Sequence, residues 1–308
     1  MRIAVVGAGG VGGYFGGLLA RAGNEVVFLA RGEHLKAIRQ RGLLVKSSTH
    51  GEFAISPARA EDDPARVGAV DYVIVAVKTY HLETVAPTLG PMVGPDTTVF
   101  SLANGVTAHE VLRQHLPEKA VTGGWCAVFS QIESPGVIRM GGNTKTVTVG
   151  ELAGPPSERL DRIVAVWKEQ GVDASQSADI LASLWTKFLF IASTGGITSL
   201  ARVPVSGVRG EPATRQLLTE AFREVEAVAR AKGIRLAPDV VDKTLKMVDG
   251  LAPEVTTSMQ RDVAAGRYFE LEAFSGTIVR DGGETGVATP VHAAIYAMLL
   301  PALRQAAS

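Results

Sequence analysis

The stretch Arg2-Ile3-Ala4-Val5-Val6-Gly7-Ala8-Gly9-Gly10-Val11-Gly12-Gly13 decides the fold. Its apolar, β-branched start reads as a buried strand, its glycines as a tight turn, and the helical spacing that follows through Arg21 as a helix. Gly7, Gly9 and Gly12 form Gly-x-Gly-x-x-Gly: Gly7 permits the turn, Gly9 lets a pyrophosphate approach the backbone, and Gly12 lets the helix pack closely, while the helix N-terminus favours the anion. In a chain with 34 glycines such a spacing also arises by chance, or as a βα turn without a ligand. The strand before it and the helix after it make Gly7, Ala8, Gly9, Gly10, Val11 and Gly12 a candidate dinucleotide-binding turn.

Working outward, 25–30, 71–77 and 97–102 are further apolar runs separated by connections long enough for a crossover helix. Strands apolar on both faces imply a parallel sheet covered on both sides. From Val121 to Val149 the alternation shortens, and glycine pairs at 123 and 141 suggest antiparallel strands completing that sheet, with a linker near 171–177. Beyond it Leu217, Leu218, Ala221, Phe222, Val225, Val228 and Ala229 recur at helical spacing, and Gly233 supplies the stop. Thr289-Pro290 reads as an N-cap and first helical residue opening a last helix to about Leu303. The expected organisation is an α/β dinucleotide-binding domain over 1–175 and an all-helical domain over 176–308.

With 308 residues, 46% of them hydrophobic, the chain can bury large cores. Lys and Arg total 31 against 31 Asp and Glu, so there is no global field to hold a polyanion. Nucleic acid and anionic membrane surfaces are therefore not expected as main partners. Cys126 is the single cysteine; it can close no intrachain bridge. No signal segment and no uninterrupted run of about 18 apolar residues is read, so a cytoplasmic location is expected. The histidines are scattered without ligand spacing, and no metal is expected. Neither a Gly-x-Ser-x-Gly elbow nor a Walker-type lysine turn is present for hydrolysis.

Arg31 follows the second strand, where NAD enzymes usually offer an acid to the ribose, and a guanidinium there suits a 2′-phosphate; an exposed surface arginine is the plainer alternative. Lys78 and Asn104-Gly105 fall at the carboxyl ends of the third and fourth strands, the edge at which open α/β sheets bind ligands. Lysines at strand ends and Asn-Gly turns also occur without function. Lys187 interrupts an apolar helical run, either as a proton donor whose pKa burial lowers or as a snorkelling side chain. Ser258 and Glu270, the latter beside Leu271 and Phe274 and expected to be half-buried, by themselves read more readily as a solvated helix face than as functional groups.

Taken together these residues resemble the ketopantoate reductase (2-dehydropantoate 2-reductase) family over essentially the whole chain. The shared landmarks are Gly-Ala-Gly-Gly-Val-Gly at 7–12, Arg31, Val77-Lys78, Asn104-Gly105, Trp-x-Lys-Phe at 185–188, Ser-Met-x-x-Asp at 258–262 and Glu-Leu-Glu at 270–272. The resemblance implies a Rossmann domain that binds NADPH and a helical domain, similar to that of 6-phosphogluconate dehydrogenases, that closes over a small 2-keto acid. It implies Lys187 as the catalytic lysine, Glu270 as the glutamate that binds the nascent alcohol, and Ser258 near the substrate carboxylate. Asn104 would lie beside substrate and nicotinamide, and Lys78 at the same cofactor edge. A homodimer is the assembly to test. The family usually carries asparagines four and eight residues after the lysine; here those positions are Ile191 and Gly195. Tyr268, Phe269 and Phe188 could form an apolar wall for a branched or bulkier keto acid. A non-catalytic NADPH-binding sensor is the competing class, against which the retention of Lys187, Ser258 and Glu270 together speaks.

Overall fold

The computed structural model describes residues 1–307, which divide into two compact units, Met1–Ile180 and a second beginning at Leu181. The first contains β1 (Arg2–Val6), α1 (Gly10–Arg21), β2 (Glu25–Leu29), α2 (Gly32–Arg41), β3 (Leu43–Ser47), β4 (Gly51–Ile55), β5 (Arg59–Glu61), β6 (Val70–Val75), α3 (Leu82–Val85), β7 (Val93–Ser101), α4 (Ala108–Arg113), β8 (Gly123–Ser134), β9 (Val137–Gly150), α5 (Glu158–Glu169) and β10 (Asp173–Gln176). Five strands form a parallel sheet in the order β5-β2-β1-β6-β7. The order reverses between β1 and β6, so this is a doubly wound sheet whose ligand crevice lies at the carboxyl ends of those two strands.

The period-2 alternation of β1 explains its two buried faces. Ile3 and Val5 enter one apolar core with Phe15, Phe28, Phe100 and Trp167, while Ala4 and Val6 enter another with Leu82, Leu89, Met92 and Leu112. The Trp167 ring meets Phe15 and Phe100 edge-on, with centroids 6.1 and 6.0 Å apart, and its indole N–H donates to the Phe15 carbonyl.

The strands between 121 and 149 do not complete the parallel sheet. β8 and β9 pair antiparallel, and β9 joins a second, mixed sheet in the order β10-β9-β3-β4. Their turn is at Pro135-Gly136, while Gly123 opens β8 and Gly141 lies within β9 at a register shift. The expected linker at 171–177 is occupied by β10, parallel to β9. The first unit therefore ends at Ile180 and not at 175.

The second sheet exists because α1 is buried on two sides. A Cβ added at Gly16 would lie 2.8 Å from Val5 and 2.9 Å from Phe28 of the first sheet; one at Gly13 would lie 2.7 Å from Ile138 and one at Gly17 3.1 Å from Val45 of the second. The two glycine pairs, four residues apart, thus give α1 a close approach to both sheets.

The second unit is helical: α6 (Ile180–Ala201, whose first residue closes the first unit), α7 (Val205–Gly210), α8 (Pro212–Ala231), α9 (Val240–Asp249), α10 (Ser258–Ala264), α11 (Thr277–Thr285) and α12 (Pro290–Ala307), with a π-helical turn at Glu272–Gly276 leading into α11. α8 buries Leu218, Ala221, Phe222, Val225, Val228 and Ala229, as its spacing predicts, but Leu217 falls outside that stripe and is exposed. α12 runs past Leu303 to Ala307. Its first N–H groups are satisfied by a distant residue: the Glu224 carboxylate accepts from Val291 at 2.7 Å and His292 at 2.9 Å. α6 is long and apolar enough to cross a membrane by length and composition, but more than half of it is buried within the protein, the pattern of a core helix.

Candidate functional site

The glycine-rich turn sits at the switch point of the parallel sheet. Gly7 takes φ +94°, open to glycine and strained for a side chain, and an added Cβ would press on Val77 and the Ala76 backbone beyond β6. The N–H groups of Gly7 and Ala8 both donate to the Leu29 carbonyl, at 3.1 and 3.0 Å, which ties the turn to the end of β2. At Gly10 an added Cβ would collide with the Ser130 carbonyl, and at Gly12 with that of Gly7. At Gly9, by contrast, it would meet nothing within 4 Å. Gly9 is also the N-cap of α1, with no side-chain cap and no acid in the first turn. The N–H groups of Gly10, Val11 and Gly12 thus begin a helix without intrahelical partners. Open space in front of free donors fits a phosphate group.

Arg31, Lys78 and Asn104 follow β2, β6 and β7, so they share the carboxyl edge with that turn. Arg31 is exposed and serves as the N-cap residue of α2, Lys78 is exposed, and Asn104 is half-buried before Gly105 at φ +85°.

One residue of this region escaped sequence reasoning. His34, on the first turns of α2, lies 2.8 Å through Nε2 from the Ala8 carbonyl and 3.0 Å through Nδ1 from the Gly136 N–H. An N–H can only donate, so Nδ1 accepts and Nε2–H donates to Ala8: the partners select the neutral tautomer. Burial lowers the His34 pKa from its ordinary value, opposed by the bond to Ala8.

In the second unit Lys187 is half-buried on α6, flanked by the buried Trp185 and Phe188, whose rings meet edge-on at 5.5 Å. Phe188 in turn meets Phe274, at 6.1 Å, in the π-helical turn that follows Glu270. Glu270 is only 4% exposed, more deeply buried than the half-buried carboxylate expected, because Phe269, Leu271 and Phe274 around it are all core residues. π-helical turns recur at functional sites. Ser258 opens α10 and is exposed; Thr257, whose hydroxyl accepts from the Gln260 N–H at 3.1 Å, caps the helix. Gly195 faces this element: a Cβ there would lie 3.6 Å from Met259 Cβ and 3.8 Å from a ring carbon of Phe274. The elements that carry Lys187, Ser258 and Glu270 therefore meet within one unit.

The family model described as ketopantoate reductase PanE/ApbA matches residues 3–154, and its C-terminal companion matches residues 179–302. The chain belongs to the ketopantoate reductase family. Members of this family are oxidoreductases acting on CH–OH groups, and so is this chain. An uncharacterized oxidoreductase, YkpB, of Bacillus subtilis is 28% identical over 97% of this chain and 98% of its own. The 2-dehydropantoate 2-reductase of Archaeoglobus fulgidus is 30% identical over 93% of this chain and 92% of its own. Among solved structures, the PanE/ApbA family ketopantoate reductase of Ralstonia eutropha superposes with a TM-score of 0.90 at 27% identity, covering all of both chains. The ketopantoate reductase likeness thus runs through both units.

Proposed function

We propose that this chain is an NADPH-dependent reductase of 2-keto acids, with 2-dehydropantoate (ketopantoate) reduced to (R)-pantoate, for pantothenate and coenzyme A synthesis in the cytoplasm, as its first assignment. The observation that carries the reading is the open cradle at Gly9, before an uncapped helix and at the switch point of the sheet, in a chain that both family models match. NADPH supplies a hydride when bound. The turn from Gly7 to Gly12 would hold its pyrophosphate, Arg31 its 2′-phosphate, and Lys78 and Asn104 its nicotinamide side. Hydride addition to the keto carbon turns the carbonyl π-pair into an alkoxide lone pair. The Lys187 ammonium donates its proton to that oxygen and is left neutral until solvent recharges it. Glu270 accepts a hydrogen bond from the new hydroxyl, Asn104 orients the substrate, and Ser258 donates to its carboxylate.

A second reading keeps the reaction and changes the substrate to a more apolar 2-keto acid. Ile191 and Gly195 stand where the family usually carries asparagines, and the space at Gly195 is backed by Met259 and Phe274. Two fewer amide groups remove hydrogen bonds to substrate, each worth about 1.5–3 kcal/mol when the partner is charged.

The test is NADPH oxidation by the purified protein against a panel of 2-keto acids that includes ketopantoate. A kcat/KM for ketopantoate of about 10⁶ M⁻¹s⁻¹ or more assigns that substrate; a larger value for an apolar keto acid assigns the second reading. Cofactor binding without turnover of any of them would leave a binding protein instead.

A further inference from the structure

We infer that His34 is the positioning residue of the cofactor-phosphate turn, a neutral imidazole that pins the Ala8 carbonyl to the β8–β9 hairpin. The inference rests on the reading of residues 7–12 as the cofactor's turn.

Ala8 is 2% exposed, and among the described residues no partner other than His34 takes its carbonyl. A buried carbonyl deprived of its donor turns toward another, and in a turn whose N–H groups must converge on one anion that rotation swings the neighbouring peptides out of register. The other end of the imidazole is equally fixed. Gly136 donates its N–H to His34 Nδ1, accepts the Leu44 N–H at 2.9 Å through its carbonyl, and takes φ +81°, where an added Cβ would lie 3.1 Å from the Cβ of Ala37 on α2. His34 therefore links the phosphate turn of one sheet to the hairpin of the other.

The arrangement works only for the neutral ring. A proton on Nδ1 would face the Gly136 N–H donor to donor and break that bond. The ionisable groups on the surrounding elements offer the imidazolium little compensation. Residues 7–12 carry none, and Tyr14 on α1 is engaged with His50. On α2 and its cap are Arg31, Glu33 and Lys36, of which the last two pair with each other in solvent, Arg39, which pairs with Glu61 and Asp62, and Arg41, which donates to the Pro135 carbonyl. On the hairpin Glu133 is held by Lys46 and Arg139. Burial lowers the ring's pKa, so neutrality extends below the ordinary imidazole range.

Isothermal titration with NADP⁺ from pH 7.5 to 5, on wild type, His34→Ala and His34→Gln, tests this. Glutamine keeps an N–H within reach of Ala8 and does not titrate. At pH 7.5 the alanine variant should bind about tenfold more weakly or worse, and the glutamine variant within about threefold of wild type. On acidification wild-type affinity should fall more steeply than that of His34→Gln, and the comparison removes the titration of the cofactor's own phosphate. Alanine binding as tightly as wild type, or superimposable wild-type and glutamine profiles, would overturn the inference. If alanine fails to fold, by circular dichroism, the glutamine profile still decides. A wild-type protein that binds neither NADP⁺ nor NAD⁺ overturns the cofactor reading itself, a result distinct from either.

Discussion

At the scale of the residue, the proposed chemistry turns on one lysine in an apolar helix. Lys187→Ala should lower kcat by about 10²–10⁴-fold, the range of general acid catalysis, while NADPH affinity changes little. A variant that kept more than about a tenth of wild-type kcat would make Lys187 a snorkelling side chain and send the search for the proton donor to Lys78. Arg31→Ala should cost about ten- to a hundredfold in NADPH affinity and leave NADH nearly unchanged; fluorescence titration of both cofactors decides, and equal losses would remove the 2′-phosphate from its assignment. These residues are legible in the sequence because each follows a local signal: a charge inside an apolar run, or the end of a β-branched run. His34 carries no such signal. Its partners lie 26 and 102 residues away, and no spacing rule reaches that far. The Glu224 cap on α12, 67 residues from Val291, is hidden for the same reason. Thr289 reads as the local cap, but it contributes only its carbonyl, which accepts the Ala293 N–H at 2.9 Å.

At the scale of the element, α1 separates two uses of glycine that the sequence presents alike. Gly9→Ala should leave the melting temperature near wild type, since its Cβ enters open space, yet weaken cofactor binding by tenfold or more. Gly16→Ala should do the reverse. Alanine gains about 1 kcal/mol in helix propensity, but a Cβ 2.8 Å from Val5 forces the packing apart at about 1–3 kcal/mol, so a net loss of stability is expected in urea unfolding. If both variants lowered stability equally, the cradle at Gly9 would be a packing feature. The strands that escape the sequence fail for an opposite reason to those it reveals. β1, β2, β6 and β7 are buried on both faces and read as apolar runs. β3 and β4 hold Lys46, Ser47 and Glu52 on half-solvated surfaces, and β5 and β10 are Arg-Ala-Glu and Asp-Ala-Ser-Gln, held by backbone pairing to neighbours. Hydrophobic patterning cannot register a strand whose stabilisation comes from its ladder.

At the scale of the whole molecule, each unit carries its own core, and the helical one contains an acid-sensitive joint. His292 is fully buried between Ser193 (3.3 Å) and Ser275 (3.2 Å), and burial pulls its pKa down to about 4 from 6.5. The unfolded chain therefore binds the extra proton first as pH falls. The stability His292 confers is complete above about pH 6.5 and is lost progressively toward pH 4, about 3 kcal/mol in all. Glu224, whose pKa burial raises, tends the other way, so the measurement is a difference. Melting temperature against pH should slope less for His292→Gln than for wild type between pH 6.5 and 4, and parallel curves would remove the histidine from the account. The clamping of α1 between two sheets has a kinetic counterpart. A helix with no solvated face has no route to fray except through the opening of the sheets that cover it. Beyond the free N–H groups of its first turn, its amide hydrogens should be among the last in the first unit to exchange with deuterium, and they should do so at the rate of that unit's global unfolding. With His34 neutral, the turn at its N-terminus would then keep its shape, without a ligand to hold it, for as long as the unit stays folded.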